Sequence, residues 1–266
     1  MSDKVSLLLS DSGPMDGRLA AALDSWRSWC PAPLSKPVIA KQIAGGKTNH
    51  SWLLETDCGP AVLRLNCADG DKLGIDRQRE HTILLAVVAA GIAPPLWYND
   101  PAAGFMVSGY IDGRVWCEED FERPSSRQKL SALVDRYASL PVQLRAFDYL
   151  AHLDHYHHQL QSSGHTIPAE LVTALQRWRN PIAAWQQNCW KPQLTHHDLT
   201  PANIIENDSG IAIIDWEYAA MGCTELDHLA VAGNSKHSPV VSALLQLMND
   251  YWLLVRQEIV AVNGCP

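Results

Sequence analysis

The residues best suited to chemistry lie between Leu194 and Tyr218, in the stretch LTHHDLTPANIIENDSGIAIIDWEY. Within it Asp198, Asn203 and Asp215 follow the pattern H-x-D-x4-N, then a hairpin, then D-x-E. Ile204-Ile205-Glu206 and Ile211 to Ile214 are β-branched runs separated by Asn207-Asp208-Ser209-Gly210, which predicts a pair of antiparallel strands. With the turn centred near residue 209, Asn203 and Asp215 fall opposite one another at the open end, roughly 5 Å apart across the strands. An amide oxygen beside a carboxylate is hard-oxygen ligation, suited to a Mg²⁺ ion that stays partly hydrated and is shared with phosphate. Asp198 precedes Asn203 on a loop that Pro201 stiffens, and faces the same centre. An acid there could accept a hydrogen bond from a hydroxyl and orient it for in-line attack on a γ-phosphate. The plainer alternative is that Asp198 and Asn203 fix a tight loop while Asp215 caps a strand. The joint spacing has no simple folding explanation and favours chemistry.

Such a centre needs elements to hold it, and the sequence divides into zones that could. Val38 to Ile43, Ser51 to Thr56 and Ala61 to Leu65 read as strands, with turns at Gly45 to Asn49 and at Asp57-Cys58-Gly59-Pro60. Asp76 to Ala90 carries Ile83, Leu84, Val87 and Val88 at helical spacing and stops at Gly91. Two further strands are expected at Trp97 to Tyr98 and Phe105 to Tyr110. From Arg123 to about Trp190 the pattern turns helical, with starts near Ser125, Arg145 and Pro168, and it is helical again after Tyr218. The expectation is an α+β chain of two lobes: a strand-rich lobe over residues 37–110 and a helix-rich lobe over 111–266, joined within Ser108 to Gly113. Residues 1–36 would form a helical extension, with Leu19 to Trp29 as a helix packed on the small lobe.

Composition narrows the partners. The 266 residues carry 21 Lys and Arg against 29 Asp and Glu, a formal charge of −8, which argues against a nucleic-acid or anionic-membrane surface and suits a neutral or cationic partner. The longest apolar stretch, Ile83 to Ala93, is far short of the ~20 residues that span a bilayer. Seven Cys without a CxxC pair read as free thiols in a reducing cytoplasm. Ten Trp and seven Tyr stand against three Phe, an excess that either fills cores or lines a site for a cation.

His196-His197-Asp198-Leu199-Thr200-Pro201-Ala202-Asn203 followed by Ile214-Asp215-Trp216-Glu217-Tyr218-Ala219 resembles the signature of the aminoglycoside phosphotransferase and choline kinase superfamily. The wording is closest to its bacterial thiamine kinase and choline/ethanolamine kinase branches, and the similarity runs from about Ile39 to Ala230. The resemblance implies a bilobal protein-kinase-like fold and an ATP-dependent kinase acting on a small acceptor. It also implies Asp198 as catalytic base, Asn203 and Asp215 as Mg²⁺ ligands, and His196 as a structural residue of the catalytic loop. Glu217 would join the metal shell or the acceptor pocket. Asp227 would cap a helix or brace the loop, with a carboxylate in the pocket wall as the alternative. Many members carry Gly where His197 stands, a departure that weakens the aminoglycoside branch more than the kinase assignment.

In the small lobe the resemblance implies that Arg64, on the third strand, holds the nucleotide phosphates and is oriented by Glu80 on the next helix; an edge-strand surface charge is the alternative for Arg64. Gly45, Gly46, Thr48 and Asn49 would cover the phosphates, unless they form an ordinary hairpin turn. Gly109, Tyr110 and Ile111 would offer backbone to adenine. Candidate acceptor rings are Trp116, Tyr156, Trp185, Trp190, Trp216, Tyr218 and Trp252, each of which could equally be packing. A cationic acceptor such as thiamine, choline or ethanolamine is expected, ahead of an aminoglycoside, amino alcohol or sugar. A nucleotide-binding pseudokinase regulating a partner is the alternative of another class. His152, His155, His157 and His158 could share a helix face with a transition metal, but a polar helix face is the simpler reading.

Overall fold

Alternating burial of apolar residues along its central strand organises the first sheet. In the computed structural model, which describes residues 14–44, 48–232 and 238–263, the chain divides into two compact units. One holds the described residues up to Ala68 together with Pro95–Ile111; the other holds Asp69–Pro94 and the described residues from Asp112 onward. The division assigns residues 69–94 to the second unit, whereas the sequence placed them in the first.

In the first unit, α1 (Pro14–Asp24) and a 3₁₀ turn (Trp26–Ser28) precede β1 (Val38–Ile43), β2 (His50–Glu55), β3 (Ala61–Leu65), β4 (Leu96–Asp100) and β5 (Phe105–Gly109). The strands form an antiparallel sheet in the order β1-β2-β3-β5-β4. Ala61, Leu63 and Leu65 alternate inward along β3 and meet Trp52, Leu54, Phe105, Val107 and Trp97. Ala22, Trp26 and Trp29 close the same core, so the N-terminal segment belongs to this unit's packing. The helix expected from Leu19 to Trp29 starts earlier and breaks after Asp24.

In the second unit, α2 (Arg77–Ala89) begins where the Asp76 carboxylate accepts the backbone N–H groups of Gln78 and Arg79. It ends at Gly91, whose φ of +66° lets Ile92 N–H reach back to the Val87 carbonyl. There follow β6 (Arg114–Val115), α3 (Glu118–Glu122), α4 (Pro124–Ala138), α5 (Tyr149–Ser162) and α6 (Ala169–Asn188). The chain continues through β7 (Gln193–Thr195), β8 (Ile204–Asn207), β9 (Gly210–Ile213), β10 (Ala220–Gly222), α7 (Glu225–Ala232) and α8 (Pro239–Asn263). Leu153, Tyr156 and Leu160 of α5, Leu171, Leu175 and Ile182 of α6, and Val241, Leu244 and Tyr251 of α8 form its largest core. The expected start of α5 near Arg145 is displaced to Tyr149, because the Asp148 carboxylate caps the helix through Ala151 N–H. Among the described residues no helix is long and apolar enough to cross a membrane.

Candidate active site

The loop that carries the chemistry is closed at its base by a strand pair. β7 pairs antiparallel with β10, Thr195 opposite Ala220, so residues 196–219 leave and re-enter one point of the fold. Inside that loop β8 and β9 form the expected hairpin, with Ile204 opposite Ile213 and Asn207 opposite Gly210. The turn is therefore the two residues Asp208 and Ser209. Asn203 falls opposite Ile214, whose N–H donates to the Asn203 carbonyl at 2.9 Å. The expected register was one residue out, and Asp215 lies one step beyond it. Asp215 has φ +63° and ψ +61°, a left-handed conformation that turns the chain into the 3₁₀ segment Trp216–Tyr218. Such a conformation costs a non-glycine residue roughly 1–2 kcal/mol and is found at sites where geometry is imposed by function.

Asp198 and Asn203 are brought together directly. The Asn203 side-chain amide donates to the Asp198 carbonyl at 2.9 Å and to its carboxylate at 3.0 Å. Both hydrogens of that amide are thereby spent on Asp198, which leaves the amide oxygen as the end available to a cation. That oxygen and the Asp215 carboxylate are both hard donors, of the kind a partly hydrated Mg²⁺ ion takes.

The loop is held from behind by a buried acid. Asp227, on α7, accepts the backbone N–H groups of His196 at 2.7 Å and His197 at 3.0 Å, and the Tyr137 hydroxyl of α4 at 2.5 Å. Burial raises its carboxyl above the ordinary value, and the His196 ring and the three donors oppose that rise. Among the roles expected for Asp227, its contacts describe a brace on the loop. His196 is fully buried, and its tautomer follows from its partners. Nε2 faces the Ile214 carbonyl at 3.1 Å and must donate; Nδ1 receives the Asp198 backbone N–H at 3.3 Å and must accept. The ring is thus neutral, in keeping with a pKa lowered by burial, and it fastens the Asp198 loop to the strand leading into Asp215.

Glu217 is 1% exposed, and its carboxylate accepts Arg77 at 2.8 Å. The same Arg77 nitrogen donates to Glu80 at 2.8 Å, so α2 is tied to the 3₁₀ turn after Asp215 through one guanidinium. Sequence reasoning passed over Arg77, because nothing local marks a partner 140 residues away.

Residues of the first unit are positioned as follows. Arg64 lies on β3, the central strand of its sheet and not an edge, on the face opposite Leu63 and Leu65; its Nε donates to the Asn66 side chain at 3.1 Å. Asn49 is buried and accepts the Cys67 N–H at 3.0 Å, pinning the segment after the β1–β2 turn to the end of β3. Thr48 is half-buried beside it, while Gly45 and Gly46 lie outside the described residues. The N–H groups of Gly109 and Tyr110 donate to the carbonyls of Pro95 and Pro60, at 2.8 and 3.0 Å, and Ile111 follows half-buried.

Most of the tryptophans are core. Trp26, Trp29, Trp52, Trp97, Trp116, Trp185 and Trp216 are all buried. Trp216 donates to the Ile213 carbonyl and packs edge-on against Tyr137 and His196. Trp116 donates to Glu206, and Trp185 stacks on Trp190 beside Tyr149. Tyr156 donates to the Leu73 carbonyl. Tyr218 and Trp252 are half-buried and joined, with the indole N–H on the Tyr218 hydroxyl at 2.7 Å. The histidines of α5 take different partners: His155 meets the carbonyls of Asp71 and Lys72, His157 meets the Tyr251 hydroxyl and lies edge-on to His158, and His152 lies edge-on to Tyr156. Among the described residues no group of three or more His, Cys, Asp or Glu is arranged to hold a metal.

A family model described as the phosphotransferase enzyme family matches residues 39–240. Among solved structures, a choline/ethanolamine kinase family protein from Mesorhizobium loti superposes with a TM-score of 0.66 at 20% identity, over 94% of this chain and 88% of that one. Choline kinase LicA from Streptococcus pneumoniae gives a TM-score of 0.72 at 20% identity over 93% and 92%, and its complex with AMP gives 0.74 at 19% over the same shares. A ternary complex of aminoglycoside phosphotransferase APH(4)-Ia with AMP-PNP and hygromycin B gives 0.58 at 15% over 90% and 93%. The α+β, protein-kinase-like fold expected from the sequence is the fold these structures share with it. No curated protein matches the sequence.

Proposed function

The chain belongs to the phosphotransferase enzyme family, and on that premise we propose that it transfers the γ-phosphate of ATP to a hydroxyl of a small, cationic acceptor of the thiamine, choline or ethanolamine kind. The observation that carries this reading is the Asp198–Asn203 contact beside Asp215, inside a loop whose ends are sealed by β7 and β10. In this reading Asp198 receives the hydrogen bond of the acceptor hydroxyl and aligns its oxygen with the phosphorus. Asn203 holds the Asp198 carboxylate in place through its amide hydrogens, which leaves its oxygen for a metal. Asn203 and Asp215 would hold Mg²⁺, which supplies neutralisation of the phosphate charge. Arg64 would meet the α- and β-phosphates, and Thr48 and Asn49 border the segment over them. Adenine pairing falls to the backbone at Ile111, since Gly109 and Tyr110 commit their N–H groups within the sheet unit. His196 and Asp227 shape the loop, and Glu217 ties the turn after Asp215 to α2 through Arg77.

The acceptor side rests on Tyr218 and Trp252, half-buried rings joined by a hydrogen bond. The faces of such rings attract a quaternary or thiazolium nitrogen. In this reading the protein acts in the cytoplasm, a placement supported by seven Cys without a CxxC pair. ADP release with Mg-ATP, measured across thiamine, choline, ethanolamine, aminoglycosides and amino sugars, tests the proposal. Turnover with a cationic alcohol is expected. Turnover confined to aminoglycosides or sugars would overturn the acceptor class, and ATP binding without turnover on any acceptor would favour a pseudokinase.

A further inference from the structure

The geometry points to His197 as a positioning residue, clamped by Tyr149, that holds the backbone just before Asp198 in the shape the reaction needs; this rests on the reading of Asp198 as the base. His197 has φ +67°, and together with Asp215 it is one of two non-glycine residues in the left-handed region among the described residues. Without help, a side chain at such a backbone is strained. Here both ring nitrogens are engaged. Nδ1 lies 3.1 Å from the Tyr218 carbonyl, an acceptor only, so Nδ1 carries the proton. Nε2 is then the bare acceptor, 2.9 Å from the Tyr149 hydroxyl. Tyr149, fully buried on α5, accepts the Cys223 N–H at 2.7 Å and has its own hydrogen free for His197. Burial holds the His197 pKa down to about 3, so the ring stays neutral and Nε2 stays an acceptor.

The ring therefore joins three pieces of chain: the loop ahead of Asp198, the Tyr218 carbonyl beyond Asp215, and the start of α5. Phe147 packs against it with ring centroids 5.2 Å apart. The approach depends on Gly222, where a Cβ would stand 2.5 Å from both His197 Nε2 and the Tyr149 hydroxyl. A glycine at 197 would reach the same φ with no side chain to restrain it. The clamp thus lets a histidine occupy a left-handed position, and it adds a direct tie from the Asp198 loop to the metal-side segment.

The test compares wild type, Tyr149→Phe, His197→Ala, His197→Gly and the Tyr149→Phe/His197→Gly double variant, with Asp198→Asn as control. Steady-state kinetics use Mg-ATP and whichever acceptor of the panel turns over fastest. Tyr149→Phe should lower kcat about tenfold or more while KM for ATP moves less than about twofold, the signature of a misplaced reacting group. His197→Ala should be slower than His197→Gly by about fivefold or more, because glycine takes the left-handed backbone without strain. In the His197→Gly background, Tyr149→Phe should cost much less, since only the Cys223 N–H then loses its acceptor. A Tyr149→Phe loss of equal size in both backgrounds, or equal rates for His197→Ala and His197→Gly, would overturn the positioning role. Should Tyr149→Phe fail to fold, the alanine–glycine comparison decides alone. Histidine side-chain ¹⁵N NMR reads the clamp without turnover: a protonated Nδ1 and a bare Nε2 at His197 are expected, and a protonated Nε2 would overturn the clamp. If the wild type itself transfers no phosphate, the kinase reading fails while the NMR result still judges the clamp.

Discussion

Asp215 concentrates the argument at the scale of single residues. Its left-handed backbone, one step past the residue that pairs with Asn203, sets a carboxylate at a bend that ordinary strand geometry would not make. If that bend exists to present a metal ligand, Asp215→Ala should abolish the Mg²⁺ dependence of ATP binding and weaken that binding at least about tenfold. Calorimetric titration of ATP with and without Mg²⁺ checks this, and unchanged Mg²⁺-dependent binding would remove Asp215 from the metal shell. Asp198, Asn203 and Asp215 were legible because their roles depend on spacing within one stretch of 18 residues. The tautomers of His196 and His197 were not, since each is dictated by carbonyls, hydroxyls and amides that only the folded chain brings to the ring.

Elements carry the next layer. Asp76 and Gly91 announced both ends of α2, and the β-branched runs announced β8 and β9, because capping and strand propensity are local signals. α5 starts at the Asp148 cap and not near Arg145, because the segment before it is held by β10: Ala146 bridges Met221, and Phe147 N–H donates to the Met221 carbonyl. What the elements do to one another left no local trace. Arg77 of α2 bridges Glu80 to Glu217, two carboxylates that are 2% and 1% exposed. Arg77→Met removes the shared cation and leaves both acids without their guanidinium, which should lower stability by about 3–5 kcal/mol. Urea unfolding provides the measurement. A change below about 0.5 kcal/mol would mean that the pair contributes nothing net to holding α2 against the turn after Asp215.

For the molecule as a whole, the tryptophan excess resolves mainly into core. Four of the buried rings, Trp26, Trp29, Trp52 and Trp97, belong to the first unit's interior, Trp116, Trp185 and Trp216 are buried in the second, and Trp178, Trp190 and Trp252 are half-buried. Buried histidines give the whole protein a pH signature. Burial holds His152 and His197 at pKa values of about 3, against about 6.5 for a free imidazole. Between those values the unfolded chain binds protons that the folded chain does not, so stability is full above about pH 6.5 and declines as pH falls toward 3. Each group should remove roughly 2 kcal/mol between pH 6.5 and 5. Melting temperature against pH reads this, and His152→Gln should flatten the decline; an unchanged slope would place the loss elsewhere. The central claim is that the Asp198 carboxylate aligns a hydroxyl for transfer from ATP. It is tested most directly by measuring Mg-ATP affinity and phosphate transfer side by side for wild type and Asp198→Asn. Affinity within about threefold of wild type and turnover reduced by about 10²-fold or more are predicted. A variant that keeps near wild-type kcat would contradict it.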